Sequence, residues 1–379
     1  MIAGIPIIQM KLLSTDQPSR IALIGPLPPP SGGMANQTLQ LSRLLGEEGM
    51  QVEVVQVNAP YVPAWGGRIP VLRALFRLLP YLFRLWRAAG RNDLFHIMAN
   101  SGWSWHLFAA PAIWLARLRR VPCIVNYRGG EAATFLRVAA TSVRFSMRRV
   151  ATLVAPSGFL REVFARHGMH AEIVPNIIDL AKFHPAESRP QTPHIVVARN
   201  LEPIYDVDSA LRALALLLPG HPDAQMSIAG SGPERERLES LAGQLGVAGK
   251  VRFTGRLDSH QMAALYREAS LSLNTALADN MPNSVLESLA SGIPVVTTNV
   301  GGVPFLVRHE ETALLVEPGD AEAMAAAMAR LINDTSLCQR LVQNGSAYVR
   351  DFAWSQVRDR WFSVYRNACG SPAPAAEKA

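Results

Sequence analysis

The stretch Asp279–Gly302 reads DNMPNSVLESLASGIPVVTTNVGG. Two carboxylates, Asp279 and Glu287, are separated by seven residues. A short apolar run, Leu271–Leu273, leads in. A helix is expected from about Asn283 to Ala290, and Ser291-Gly292 supplies its stop. Pro294–Thr297 then suits a buried strand. Strand, loop, helix, glycine turn and strand make a β-α-β unit of a parallel sheet. Asp279 therefore falls in the loop before a helix N-terminus, and Glu287 within the helix near that end.

The same alternation extends both ways. Upstream of this unit, His194–Ala198, Gln225–Ala229 and Val251–Thr254 read as strands with helices between them. The first half repeats the plan. Arg20–Leu27 (RIALIGPL) runs into Pro28–Gly33 (PPPSGG), and a helical pattern follows from about Met34. Further strands are predicted at Val52–Val57, Leu94–Met98, Cys123–Tyr127 and Thr152–Ala155. Pro185–Pro193 (PAESRPQTP) breaks the rhythm and reads as a linker. Asp351–Ala368 reads as a helix with an apolar side formed by Phe352, Trp354, Val357, Trp361, Val364 and Tyr365. Two α/β domains follow, within a length of 379 residues and a composition that is 49% hydrophobic.

Lys plus Arg is 37 and Asp plus Glu is 30, so the net charge is 37 − 30 = +7. The excess is mostly arginine and lies before residue 170. The three cysteines, Cys123, Cys338 and Cys369, are far apart, which argues for a reducing compartment and against a disulfide framework or structural zinc. Neither a signal peptide nor a membrane-spanning run is expected. Val71–Arg91 holds Arg73, Arg77, Arg84, Arg87 and Arg91 on an arc of roughly 80°. Leu75, Leu79, Leu82, Phe83 and Trp86 cluster opposite, with Pro80 interrupting. That pattern suits a core helix with a solvated arginine face, and equally a helix that docks on an anionic membrane.

Free N–H groups and the dipole at a helix N-terminus favour an anion such as a diphosphate. A carboxylate accepts paired hydrogen bonds from neighbouring sugar hydroxyls. Ligands of open α/β sheets bind beyond the carboxyl ends of the strands. For two isolated carboxylates a turn residue and a solvated helix residue would still be the favoured reading.

The wider pattern changes that weighting. The chain resembles, over almost its whole length, the retaining glycosyltransferases of GT-B type, family 4 (glycosyl transferases group 1). That family carries Glu, seven residues, Glu, then Gly-x-Pro-Val and Gly-Gly; here Asp279 replaces the first Glu. Val174–Asp179 (VPNIID), Phe183–Pro185, Ile228–Leu238 (IAGSGPERERL), Val251–Leu257 (VRFTGRL) and Gly32-Gly33 match further segments in order. The resemblance implies two Rossmann-like domains facing a cleft: 1–186 for the acceptor, joined by a returning helix and tail at 355–379, and 187–354 for the nucleotide sugar. It implies that Glu287 holds the ribose and Asp279 the donor sugar, with backbone at Asn280, Met281, Pro282, Asn283 and Ser284 meeting sugar and diphosphate. It places Gly32, Gly33 and Gly230 near the donor, the base at Arg256 and Leu257, and Asn176 on the acceptor side.

Two positions depart from that family. Its usual Arg and Lys pair for the diphosphate appears here as Arg199 and Tyr205, and Tyr brings no positive charge. Its His-Gly after the strand Ile124-Val125-Asn126 appears as Tyr127-Arg128-Gly129-Gly130. Arg128 cannot act as a base and suits a donor phosphate or anionic acceptor instead. His96 is placed at a strand end facing the cleft, although a lone His is more often structural. His167 and His170 lack partners for a metal, so no metal and no cofactor beyond a UDP- or GDP-linked sugar is expected. The expected activity is sugar transfer with retention to a glycan or lipid-linked acceptor in bacterial polysaccharide or envelope synthesis, in the cytoplasm or on the inner membrane face. No nucleic-acid partner is expected. The alternatives are a sugar-nucleotide epimerase of the same architecture and a non-catalytic nucleotide-sugar-binding partner.

Overall fold

The structure, a computed structural model, describes residues 17–29, 32–60, 73–188, 190 and 192–370, with backbone alone for 73–75. The chain divides into two compact units. The first takes the described residues up to Ala155, then Val163–Val174 and Arg358 onward; the second takes Pro156–Glu162 and Pro175–Val357.

In the first unit β1 (Arg20–Gly25), α1 (Gly33–Glu47), β2 (Gln51–Gln56), α2 (Arg73–Ala89), β3 (Leu94–Ala99) and α3 (Ala110–Leu118) follow in order. Then come β4 (Cys123–Tyr127), α4 (Ala132–Met147), β5 (Thr152–Ala155), α5 (Gly158–Ala165) and β6 (Ala171–Ile173). The six strands are parallel in the order β2-β1-β3-β4-β5-β6. Every residue of β3 and β4 is buried. Such strands are covered on both faces, which is why, apart from His96 and Asn126, they read as apolar runs rather than alternating ones. β1 stops at Gly25, short of the expected Leu27, because the Asn58 side chain bonds both the N–H and the carbonyl of Leu27.

The second unit holds β7 (His194–Ala198), α6 (Val207–Leu217), β8 (Gln225–Ala229), α7 (Arg235–Gln244), β9 (Val251–Gly255), α8 (Ser259–Arg267) and β10 (Leu271–Asn274). α9 (Asn283–Ala290), β11 (Val295–Thr298), β12 (Leu314–Val316), α10 (Ala321–Asn333) and α11 (Thr335–Tyr348) complete it, and α12 (Trp354–Gly370) leads back to the first unit. Its parallel order is β12-β11-β10-β7-β8-β9. Ile195 and Val197 join one buried cluster and Val196 the other, so consecutive β7 residues serve opposite faces of the sheet. β10 and β7 lie side by side where the strand order reverses, the topological switch point at which such sheets bind ligands.

These are two Rossmann-like α/β units, as expected. The chain enters the second unit at Pro175, earlier than the expected boundary at 186. A bridge between Ile178 and Ala353, and a bond from the Asn176 side chain to the Met281 carbonyl at 3.1 Å, tie this segment to the second unit. Within the expected linker, positions 189 and 191 lie outside the described residues. The returning helix is present: Trp361 and Tyr365 of α12 are fully buried in the first unit.

Candidate active site

The switch point brings together the side chains that the sequence singled out in the second half. Arg199 follows β7, and Asp279 lies in the loop after β10. Their Nη2 and Oδ2 atoms stand 2.7 Å apart, with the side chains only 11% and 16% exposed. The approach angle misses hydrogen-bond geometry, so both buried atoms keep unspent bonding capacity. Arg199 is held on its other edge, where Nε donates to Asn274 Oδ1 at 2.8 Å. Asn274 Nδ2 in turn donates to Thr297 at 2.8 Å. The guanidinium also lies 5.3 Å from the Tyr205 ring centroid. Tyr205, standing where the family pattern calls for a Lys, is thus an aromatic platform for Arg199 rather than a second cation.

Glycines allow these loops to come together. A Cβ on Gly301 or Gly302 would overlap the carbonyl oxygens of Asp279 and Asn280, and one on Gly230 that of Arg199. Gly302 donates its N–H to the Asp279 carbonyl at 2.9 Å. Gly301 also has φ +51°, a conformation that L side chains rarely adopt. Gly230, named as a donor-site glycine, has this clearance role.

α9 begins at Asn283 with no side-chain cap and no acidic residue in its first turn, so its positive end is uncompensated. Ser284 Oγ, in that turn, is buried without a hydrogen-bond partner. Glu287 lies one turn further on, half-buried, and accepts a bond from the Tyr266 hydroxyl at 3.4 Å. Burial pushes its carboxyl up to about 7, against the opposing pull of the Tyr266 hydroxyl, Arg199 and Lys182. Arg199, Asp279 and Glu287 therefore form one electrostatic group at the mouth of the switch point.

Other second-unit expectations are redistributed. The Met281 side chain is buried in the core, which leaves only its backbone for a ligand. Asn176, expected on the acceptor side, spends its side-chain amide on the Met281 carbonyl and on Asn283 Oδ1 at 2.6 Å. It braces the loop before α9. Arg256 is exposed and Leu257 half-buried in the loop after β9.

In the first unit, Gly32 is the extended N-cap of α1, with no side-chain cap and no acid in the following turn. Gln37, one turn in, meets Arg128, whose Nη1 lies 3.5 Å from Gln37 Oε1. Arg128 follows β4, and its Nε donates to Asn126 Oδ1 at 3.3 Å. Burial lowers its guanidinium to about 10 without removing its charge at neutral pH. The Gly32-Gly33 helix start and Arg128 thus share one end of the first sheet.

His96 does not face a ligand surface. It sits in the middle of β3, fully buried, against Trp361 and Tyr365 of α12. Since Arg128 can only donate, Asn126 must turn its oxygen to Arg128 and its NH₂ to His96 Nε2, 3.1 Å away. His96 Nδ1 then carries the proton and donates to the Tyr365 hydroxyl at 2.9 Å. Burial, then the Arg128 charge, lowers the imidazole to about 3, so it stays neutral.

Sequence reasoning missed Tyr266, Lys182 and Asn274. Asn274 ends a strand with its side chain at the switch point, and that position was a usable signal. Tyr266, on α8 and 21 positions before Glu287, left none.

The glycosyl transferases group 1 model matches residues 181–348, and the glycosyl transferase 4-like domain model matches 32–176. The chain is 27% identical over 363 residues to a phosphatidyl-myo-inositol mannosyltransferase of Mycobacterium leprae, covering 90% of this chain and 94% of that one. It is 34% identical over 173 residues to an exopolysaccharide phosphotransferase of Streptomyces coelicolor, covering 45% of this chain but 18% of that longer protein. Among solved structures, sucrose-phosphate synthase from Thermosynechococcus elongatus superposes with TM-score 0.74 at 21% identity, over 92% of this chain and 98% of that one. HepE of Anabaena, in complex with UDP-glucose, superposes with TM-score 0.70 at 16% identity, over 90% and 97%.

Proposed function

The chain belongs to the glycosyl transferases group 1 family and is a glycosyltransferase, and from that premise we propose that it moves a sugar, with retention, from a nucleotide diphosphate to a glycan or lipid-linked acceptor. The observation that carries this reading is the buried Arg199–Asp279 pair beside the open N-terminus of α9, with Glu287 one turn away. Glu287 accepts the two ribose hydroxyls. Arg199 and the α9 N–H groups hold the diphosphate, and Asp279 turns from Arg199 to the sugar hydroxyls. As the bond from the anomeric carbon to the phosphate oxygen breaks, the acceptor oxygen bonds that carbon from the same face. The acceptor proton passes to the departing phosphate. The charge growing on the leaving group is met by groups already in place. Arg128 and the start of α1 supply a second anion-binding end in the first unit. No step calls for a metal.

The UDP and UDP-glucose bound by HepE support a uridine donor, and the inositol-lipid acceptor in the name of the mycobacterial relative supports a lipid-linked one. A place in polysaccharide or envelope synthesis, in the cytoplasm or on the inner membrane face, is part of the proposal. So is docking of the basic α2 region on an anionic membrane. No described helix is long and apolar enough to cross a membrane.

The test is turnover. Purified protein with UDP- or GDP-sugars and a membrane extract as acceptor source should release nucleoside diphosphate, and Glu287→Ala should abolish the release. Conversion of the donor without any acceptor would instead make the protein an epimerase. Tight donor binding with no turnover in any extract would leave it a binding partner.

A further inference from the structure

The exposed residues of the first unit outline a surface larger than the basic helix. On α2 the apolar cluster opposite the arginines is not the buried side. Tyr81, Leu85 and Ala88 face inward, with the Tyr81 hydroxyl bonded to the Phe108 carbonyl at 2.8 Å. Leu79, Phe83 and Trp86, which only the core reading of this helix would bury, stand exposed beside Arg84 and Arg87, Phe83 at 62%. Val71 lies outside the described residues. The neighbouring helices do the same. α3 exposes Trp114 and Leu118, the latter at 70%, and α4 exposes Phe145 at 52%.

Stacked arginines join the three helices. Arg119, just past α3, lies over Trp86 of α2 at 4.4 Å. Arg149, just past α4, lies over both Trp114 and Phe145 at 3.9 and 4.3 Å, and those two rings are 5.3 Å apart. A guanidinium stacked on a ring leaves edge N–H groups for phosphate, and Arg149 keeps those other than Nη1, which donates to the Phe145 carbonyl. Between residues 73 and 150 the sequence carries thirteen arginines, no lysine and only two carboxylates, Asp93 and Glu131. Asp93 is engaged by Arg20.

We propose that α2, α3 and α4 together form one docking platform for an anionic lipid bilayer, in which Phe83, Trp86, Trp114, Leu118 and Phe145 enter the interface while the surrounding arginines meet lipid phosphates. This rests on the membrane part of the function proposed above and enlarges its contact from one helix to three. A merely solvated face would not carry this apolar ridge. A two-fold contact with a second copy would set arginine against arginine. The aliphatic Leu79 and Leu118 suit acyl chains and offer nothing for a base to stack on. Trp and Arg at the edge of an apolar strip are the residues that settle at headgroup depth.

Co-sedimentation of the full-length protein with phosphatidylcholine vesicles, with and without about 30% phosphatidylglycerol, tests this. Wild type should bind only the anionic vesicles, and less as salt rises. Leu79→Ser/Phe83→Ser on α2 and Leu118→Ser/Phe145→Ser on α3 and α4 should each lower the partition coefficient by about tenfold. All these side chains are exposed, so melting temperature and nucleotide-sugar binding should hold. If the α3/α4 pair binds like wild type while the α2 pair does not, the platform is wrong and the single-helix contact stands. If wild type binds neither vesicle, both are wrong. Equal binding to neutral vesicles, or capture by heparin without capture by vesicles, also overturns the platform.

Discussion

Glu287 gives the sharpest handle on the proposed donor site, because burial pushes its carboxyl up to about 7, above the usual carboxylate range. Burial favours the protonated form, whereas a ribose needs the ionised form as acceptor. Donor affinity should therefore rise with pH. About a tenth of the carboxyl is ionised at about pH 6 and about nine tenths at about pH 8, and apparent affinity scales with the competent fraction, so Kd should fall about tenfold across that interval. A sugar nucleotide has no phosphate titrating near neutrality, so the slope belongs to the protein. Calorimetric titration with UDP-glucose or GDP-mannose, whichever shifts the melting temperature more, measures it. Glu287→Gln should bind weakly with no slope. The same group makes a second, ligand-free readout. Its folded pKa lies above the unfolded value of about 4.3, so its contribution to stability is present below that value and is lost as pH rises through about 7. Glu287→Gln should melt higher than wild type at about pH 8 and close to it at about pH 4. A wild-type Kd that is flat with pH, or the same slope in Glu287→Gln, would refute the assignment of Glu287 to the ribose.

The other expectations concern neighbouring parts of the two units. Asp279→Asn releases Arg199 from its partner, so free nucleoside diphosphate should bind about tenfold tighter while transfer from the sugar nucleotide falls about a hundredfold; parallel losses in both would mean a structural role only. Gly302→Ala drives a Cβ into the Asn280 carbonyl oxygen and should cost about 1–3 kcal/mol of stability together with most donor affinity, read by denaturant unfolding and calorimetry. His96→Leu strands the Tyr365 hydroxyl and the Asn126 amide inside the first unit and should cost about 2–4 kcal/mol, with donor affinity unchanged in whatever folds. A shift in the pH profile of turnover in that variant would contradict the buried, neutral imidazole.

The alternation of strands and helices was legible because buried parallel strands such as Ile195–Val197 are apolar throughout, and Phe95–Met98 is apolar but for His96. The two strands that went unread, β6 and β12, have three residues each and lie at sheet edges, too short to show any period. Arg199, Asp279 and Glu287 were legible because motif order carried them. His96 was misread for a topological reason: the helix that covers it contributes Tyr365, 269 positions away, and strand pattern alone cannot say which face a returning helix will cover. For α2 the sequence pattern left a core face and a membrane-docking face equally open. Its apolar residues exceed what one face can bury, and the small Ala88 and Ala89, not Phe83 and Trp86, fit the close approach to the sheet.

The two departures from the family pattern, Asp279 for Glu and Tyr205 for Lys, become a single feature in the structure. With a Lys at position 205, Arg199 would share the diphosphate with a second cation. With Tyr there, the one guanidinium is buried at low exposure, and a buried charge needs a partner. Asp279, short enough to remain in the loop that Gly301 and Gly302 admit, supplies that partner at 2.7 Å. The partner is imperfect in angle, so less is lost when a ligand takes it away than from a well-formed bidentate pair. On the proposed function, the Tyr205 ring, 5.3 Å from the guanidinium, would hold Arg199 in place while Asp279 turns to the sugar. On the proposed reading, the lost Lys is answered by an arginine preorganised from two sides, through Asn274 and Tyr205, and by the open end of α9.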